Sequence, residues 1–121
     1  MSATVLLYNL SPQKEEALRA LGEKLSLRVI SVPSARHGCT VGQVLRGEGN
    51  DCPAKLPLRE EMLVMDLPGV LLDFFLQGMH QAGVDVPLKA ALTPTNVSWT
   101  ASALQQELQR ERQEFRRRGM K

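Results

Sequence analysis

The residues whose types could do chemistry gather in one short segment, from Lys89 to Thr100. This segment holds a lysine, four hydroxyl side chains, an amide and the single tryptophan of the chain. Ammonium, amide and hydroxyl groups are hydrogen-bond donors that can bind an anionic ligand. The same hydroxyl and amide residues also cap helices and stabilise turns. The segment is therefore a candidate binding site, with a structural role as its competing interpretation.

A metal or nucleophilic site would have to use His37, Cys39 and Cys52. Structural zinc sites usually take four ligands in close pairs, and no Cys-x-x-Cys pair is present. A catalytic pair of Cys39 and His37 would need a fixed geometry that neighbouring residues of a loop rarely hold. No nucleophile elbow, phosphate-binding loop or dinucleotide fingerprint occurs either. We therefore predict no metal, no cofactor and no catalytic residues, and we interpret both cysteines as free thiols.

Composition narrows the class of protein further. The chain has 121 residues, of which 43% are hydrophobic and 23% are charged. These values exclude a disordered tail, a collagen-like repeat and a coiled-coil rod. No apolar run reaches the length of a membrane span, and Met1 to Leu10 do not resemble a signal peptide. We therefore expect a cytoplasmic protein with no membrane association.

Basic residues are concentrated at the carboxyl-terminal end of the chain. Six basic and three acidic residues lie between positions 107 and 121, whereas the whole chain has a net charge of only +2. This basic helix end, residues 110–121, includes Arg116, Arg117 and Arg118. Such a run is typical of a solvated helix terminus, where it complements the helix dipole. It does not favour nucleic acid as a partner, although RNA contact through these arginines remains an alternative.

Strand and helix patterns alternate along the chain, and they predict one α/β domain over residues 3–118. A loop is expected at 47–57, and we expect it to be mobile. The predicted strands cover 4–8, 27–32, 61–67 and 88–93, and the predicted helices cover 12–25, 70–81 and a final stretch beginning near Ser98 or Thr100.

Two topologies are compatible with this alternation. The first and third strands are continuous apolar runs, which is typical of strands covered on both faces. This favours a small four-stranded parallel open sheet of order 2-1-3-4 with helices on both faces, in which strands one and three are adjacent and parallel. A ferredoxin-like α+β fold with an antiparallel sheet is the alternative, if residues 33–60 simply turn back.

A parallel sheet would bring the polar candidates together, because ligands bind at the carboxyl ends of parallel strands. We therefore predict one shared rim of ligand-binding candidates. Its members are Asn9, Asp66, Lys89, Thr93, Thr95 and Asn96. Trp99 is expected to be a structural anchor, at least half buried against Leu104 or the sheet.

The string Lys-Ala, then Leu-Thr-Pro-Thr-Asn-x-x-Trp-Thr, resembles an uncharacterised bacterial family, domain-of-unknown-function family 3783. The opening Leu-Leu-Tyr-Asn, the Met-Leu-Val-Met strand and a closing Leu-x-x-Glu-Leu extend the similarity from about residue 4 to 115. The resemblance implies a bacterial single-domain protein. It implies no activity, cofactor or catalytic residue.

The sequence thus predicts a non-catalytic binding or regulatory domain. It would act through protein contacts or a small anionic ligand at the rim, and a homodimer is left open. One alternative is a small enzyme that uses Asp66 and Lys89 in a cleft, which requires the two side chains to converge on one pocket. The other is RNA contact through Arg116–Arg118.

Overall fold

A computed structural model describes residues 3–48, 50–55 and 57–119 of the chain. Positions 49 and 56 of the predicted loop, and 120 and 121 of the predicted basic helix end, lie outside the described residues. The elements in order are β1 (Thr4–Tyr8), α1 (Pro12–Leu25), β2 (Arg28–Val32), α2 (Val41–Arg46), β3 (Met62–Asp66), α3 (Gly69–Gln81), β4 (Leu88–Ala91) and α4 (Ala101–Gly119). Short 3₁₀ helices, Ser34–Arg36 and Asn96–Ser98, precede α2 and α4.

Helix α1 begins where its sequence signals predict. The amide of Lys14 donates a hydrogen bond of 3.4 Å to the Ser11 hydroxyl, and Pro12 occupies the first helical position. Helix α2 begins at a reciprocal cap, in which Thr40 and Gln43 each accept a hydrogen bond from the backbone of the other. These caps satisfy amides that have no partner within the helix.

The four strands form one mixed sheet of order β2-β1-β3-β4. The predicted strand order is confirmed, but the predicted parallel pairing of β1 with β3 is wrong. These two strands are antiparallel, with Thr4 opposite Asp66 and Tyr8 opposite Met62. In the described residues between β2 and β3 the longest element is α2, with six residues, and the chain returns to the end of the sheet at which β2 finishes. The pairs β1–β2 and β3–β4 are parallel, so the sheet is not the antiparallel one of the ferredoxin-like alternative either.

The chain consists of two successive units with the same order of elements, strand, helix, strand, 3₁₀ helix and helix. We call residues 4–46 the first unit and residues 62–119 the second unit. Thr4 pairs with Arg28 in the first unit as Met62 pairs with Leu88 in the second. Leu6 lies opposite Val64. This register places an approximate two-fold axis between Leu6 and Val64.

Both faces of the sheet are covered, which explains the continuous apolar runs of β1 and β3. Helices α1 and α3 pack on one face against Val5, Leu7 and Leu63. Helices α2 and α4 pack on the other face against Leu6 and Val64. In the part of the chain that the structure describes, no helix is both long and apolar enough to cross a bilayer.

Candidate functional site

The residues of the predicted rim are divided between the two ends of the sheet, where the strands begin and finish. Because β1 and β3 are antiparallel, their carboxyl ends lie at opposite ends of the sheet. Asn9 follows β1, and its side-chain amide donates a hydrogen bond of 3.1 Å to the Leu58 carbonyl. Asp66 is the last residue of β3 and lies at the other end of the sheet, opposite Thr4. The structure therefore does not bring Asn9 and Asp66 together.

Asp66 and Lys89 also lie apart, on opposite faces of the sheet. Asp66 lines a cavity of about 360 Å³ on the α2 face, together with Arg28 and Arg46. Lys89 lies opposite Leu63 and on the face that α3 covers, and its ammonium donates a hydrogen bond of 2.8 Å to the Val86 carbonyl. Neither cavity that Lys89 lines includes Asp66. The convergence that an Asp66–Lys89 catalytic cleft requires is not present.

Thr93 and Asn96 form a compact hydrogen-bonded turn at the end of β4. The amide of Thr93 donates to Asn96 Oδ1 at 2.9 Å, and the amide of Asn96 donates to Thr93 Oγ1 at 3.0 Å. Asn96 Nδ2 also donates to the Ala91 carbonyl at 3.0 Å. The Asn96 side chain is 8% exposed, so its amide serves the backbone at the end of the strand. Its role in this geometry is structural.

His37 holds the position in the first unit that Asn96 holds in the second. His37 Nε2 lies 3.0 Å from the Val32 carbonyl, five residues earlier, just as Asn96 bonds to Ala91. Since a carbonyl only accepts, the ring nitrogen must carry the proton. Among the described residues, no group of three His, Cys, Asp or Glu side chains could hold a metal ion.

Trp99 lies where the two units meet on the α2 and α4 face. Its side chain is half-buried and packs against the core that contains Leu104. Its carbonyl accepts a hydrogen bond of 2.9 Å from the Val41 amide, at the start of α2. Thr40 and Thr100 form an antiparallel bridge beside this contact. The tryptophan therefore stabilises both the start of α4 and the junction between the units.

Four of the predicted ligand residues do share one feature, a groove of about 380 Å³ between β4 and α4. We call it the β4–α4 groove. Its strand side is formed by Lys89, Ala90 and Ala91, its end by Thr93, Thr95, Asn96 and Trp99, and its helix side by Leu104, Glu107, Leu108 and Glu111. Asn9 and Asp66 lie outside it.

The strand side of the groove is the open edge of the sheet. Among the described residues, strand β4 pairs with β3 alone, and the Leu92 amide donates inward to the Met65 carbonyl. Backbone groups of successive residues point to alternate sides of a strand, so those of Lys89 and Ala91 point outward. The Ala91 carbonyl is already bonded to Asn96. The edge that remains open is therefore short and ends at the Asn96 turn.

The helix side of the groove combines apolar and acidic side chains. Leu104 and Leu108 are one helical turn apart, and so are Glu107 and Glu111. Hydrogen bonds from Arg110 hold the pKa of Glu107 below its ordinary value, so this side chain stays ionised. Glu107 is thus paired with Arg110, and Glu111 adds a second carboxylate to this side of the groove.

Sequence reasoning missed Glu107 and Glu111. A signal was present, because the two glutamates flank the Leu104 and Leu108 stripe at the same four-residue spacing. Without knowing that α4 runs beside an open strand edge, nothing distinguishes them from solvated charges.

The carboxyl-terminal part of α4 is held by one ion pair and then extends into solvent. Arg112 donates two hydrogen bonds, of 2.8 and 2.6 Å, to the carboxylate of Glu60. These bonds and one from Gln109 lower the pKa of Glu60 to about 2. Beyond Arg112, Phe115 is 79% exposed and Arg116–Arg118 are exposed as well.

The second unit coincides with a known sequence family. Residues 61–115 match the model of the family described as Domain of unknown function (DUF3783). The second unit is thus similar to this family over residues 61–115. The predicted resemblance is confirmed over this range, which contains the whole β4–α4 groove, while the opening Leu-Leu-Tyr-Asn lies outside the match. No curated protein and no solved structure matches the chain.

Proposed function

We propose that this protein is a non-catalytic binding domain whose β4–α4 groove takes an extended segment of a partner protein. The observation that carries the proposal is the groove itself, which joins an open strand edge to a helix with apolar and acidic side chains. An extended segment can add to such an edge as a further strand. Main-chain hydrogen bonds then supply affinity, and the flanking side chains supply specificity.

The short open edge limits the affinity that this mode can reach. The backbone groups of Lys89 and the amide of Ala91 are available, and the Asn96 turn ends the edge. We expect a dissociation constant on the order of 1–100 µM, because so short a strand buries little area.

Charge and packing define the chemistry of the segment. Glu107 is already paired with Arg110, so Glu111 is the carboxylate that favours a lysine or arginine over the helix side of the groove. Leu108 and Trp99 are half-buried, and they offer apolar surface to a neighbouring side chain of the segment. The partner is therefore expected to present an extended stretch with a basic residue beside an apolar one.

A positional-scanning library of fluorescein-labelled peptides tests the proposal by fluorescence anisotropy. We expect selection of lysine or arginine next to an apolar residue. Glu111→Lys should weaken binding of the selected peptide at least tenfold, because the new lysine repels the basic residue of the peptide. Glu16→Lys is the matched control, since Glu16 is exposed on α1 and does not line the groove. An equal loss in both variants, or selection without a basic residue, would contradict the proposal.

RNA contact through Arg116–Arg118 is the second candidate, favoured by the exposure of this helix end. Phosphate binding by such an arm depends strongly on salt. The test is binding of oligouridylate at low salt. Binding to the natural chain, and none to a variant with these three arginines replaced by alanine, would support RNA contact. No binding at low salt would remove it.

We also propose that the protein is bacterial and cytoplasmic. The resemblance of its second unit to a family expected to be bacterial supports the origin. Two free thiols support the location, because reducing compartments maintain thiols. Detection of the protein in a membrane or secreted fraction of its source cells would contradict the location.

A further inference from the structure

We infer that Cys39 and Cys52 form a reversible intramolecular disulfide, so that the protein carries a thiol–disulfide site beside helix α2. Both cysteines are free thiols in the structure. Cys39 directly precedes the cap of α2, and Cys52 lies in the segment that follows this helix. The inference does not depend on the β4–α4 groove, which belongs to the second unit.

The two sulfur atoms lie beside each other. Cys39 Sγ donates to the Asn50 carbonyl at 3.5 Å, and Cys52 Sγ donates to the same oxygen at 3.2 Å. The neighbouring Cys39 side chain is the main cause of a raised pKa of Cys52. Two thiols that share one acceptor need only a small rearrangement to form a bond.

The backbone around the two cysteines holds this arrangement. The Gly38 amide donates to the Cys52 carbonyl at 2.5 Å, which fixes the two chain segments side by side. A Cβ atom at position 38 would lie 2.7 Å from the Pro53 carbonyl oxygen, closer than real Cβ contacts come. A glycine is therefore required at position 38 for the segment that carries Cys52 to approach Cys39.

The two cysteines differ in accessibility, which sets the order of reaction. Cys52 is half-buried, whereas Cys39 is only 1% exposed. An external oxidant therefore reaches Cys52 first, and Cys39 resolves the intermediate. The Cys39 side chain is the main cause of the raised pKa of Cys52, and Arg36 offsets only part of this rise. Exchange should therefore be faster at alkaline pH, because the thiolate is the reacting form.

The chemistry is thiol–disulfide exchange with a low-molecular-weight disulfide such as oxidised glutathione. The Cys52 thiolate attacks one sulfur of oxidised glutathione, and one glutathione thiolate leaves and takes up a proton. The Cys39 thiolate then attacks Cys52 Sγ, which forms the intramolecular bond and releases the second glutathione. The two cysteines lose two electrons and two protons, and the glutathione disulfide gains them.

The expected consequence is a redox-dependent stability of the first unit. The bond closes a loop that contains the whole of α2, Val41–Arg46. Closing a loop of this length reduces the entropy of the unfolded chain and should raise the Tm by about 5–12 °C.

The full chain should be equilibrated with mixtures of reduced and oxidised glutathione, alkylated with N-ethylmaleimide and weighed by mass spectrometry. We expect an oxidised species that lacks both alkylation adducts, is lighter by two hydrogens and is monomeric on a non-reducing gel. Its Tm should exceed that of the reduced protein. A stable Cys52–glutathione adduct, a cross-linked dimer or two alkylatable cysteines after oxidation would overturn the inference.

Two single variants separate the disulfide from simple surface oxidation. Cys39→Ser should trap the glutathione adduct on Cys52 and lose the rise in Tm. Cys52→Ser should leave Cys39 unmodified, because that thiol is buried. Rapid glutathionylation of Cys39 in the Cys52→Ser variant would contradict the proposed order of reaction.

Discussion

Single side chains complete the backbone hydrogen bonding where each unit turns from its second strand to its second helix. Asn96 does so with both atoms of its amide, and His37 does so with one ring nitrogen. The polar residues that look like a ligand set in the sequence are thus partly used by the fold. The outer side of strand β4, immediately before Asn96 in the chain, remains open for a partner.

Replacing Asn96 by alanine should lower the free energy of unfolding by about 2–3 kcal/mol. The reason is that the Ala91 carbonyl and the Thr93 amide would lose their partner at a partly buried position. Urea denaturation measures the change. Thr95→Ala is the control and should cost less than about 0.5 kcal/mol, because the Thr95 side chain is exposed. Equal costs in the two variants would refute this role of Asn96.

The ion pair of Glu60 with Arg112 should make stability depend on pH. The pKa of Glu60 is about 2 in the folded protein, below its ordinary value of 4.5. A lowered folded pKa stabilises the fold above the unfolded pKa, and that contribution is lost as the pH falls from about 4.5 towards 2. The natural chain should therefore be more stable than Glu60→Gln at pH 7, by about 1 kcal/mol or less given partial exposure. The difference should vanish near pH 2; a constant difference across this range would contradict the assignment.

At the scale of elements, strand β4 and helix α4 determine where binding can occur. Their positions follow from signals that sequence reasoning identified, including the short strand at 88–93 and the helix beginning near Thr100. The direction of β3 relative to β1 was not predictable, because continuous apolar runs pack equally well in either direction. That one direction decides whether Asn9 lies at the same end of the sheet as Asp66, Thr93 and Asn96. The candidates that are close in sequence, from Lys89 to Asn96, line one groove. Asn9 and Asp66, which follow or end other strands, lie outside it.

Ala91→Pro tests the open edge directly. Proline removes the outward amide of residue 91 and is tolerated on an edge strand. We expect at least tenfold weaker binding of the selected peptide, with a Tm close to that of the natural chain. Ala91→Ser, which keeps the amide, is the matched control. Unchanged affinity in the proline variant would show that the peptide does not pair with β4.

At the scale of the whole molecule, the two units complete each other. Both hydrophobic cores contain residues of the two units and extend across the pairing of β1 with β3. The two central strands of the sheet, β1 and β3, are therefore packed by residues of both units. The two units share an order of elements rather than a residue pattern, so the sequence alone does not reveal the repeat. The family match covers the second unit only, so the first unit supplies the surface on which that domain packs.

The second unit expressed alone, residues 60–119, should not be a folded monomer. Its strand β3 would present an apolar open edge in place of its pairing with β1, which favours self-association or unfolding. Sedimentation velocity with circular dichroism measures both outcomes. Addition of residues 3–59 as a separate chain should restore a folded one-to-one complex. A stable folded monomer of the second unit would refute this dependence.

The central claim, that the β4 edge receives an extended segment, is tested most directly by amide hydrogen exchange of the ¹⁵N-labelled full chain. With the selected peptide at saturation, exchange of the Ala91 amide should slow at least tenfold, because that amide gains a main-chain hydrogen bond. Amides at the outer surface of α1 and α3 should be unaffected. Unchanged exchange at Ala91, with protection confined to α1 and α3, would contradict the account.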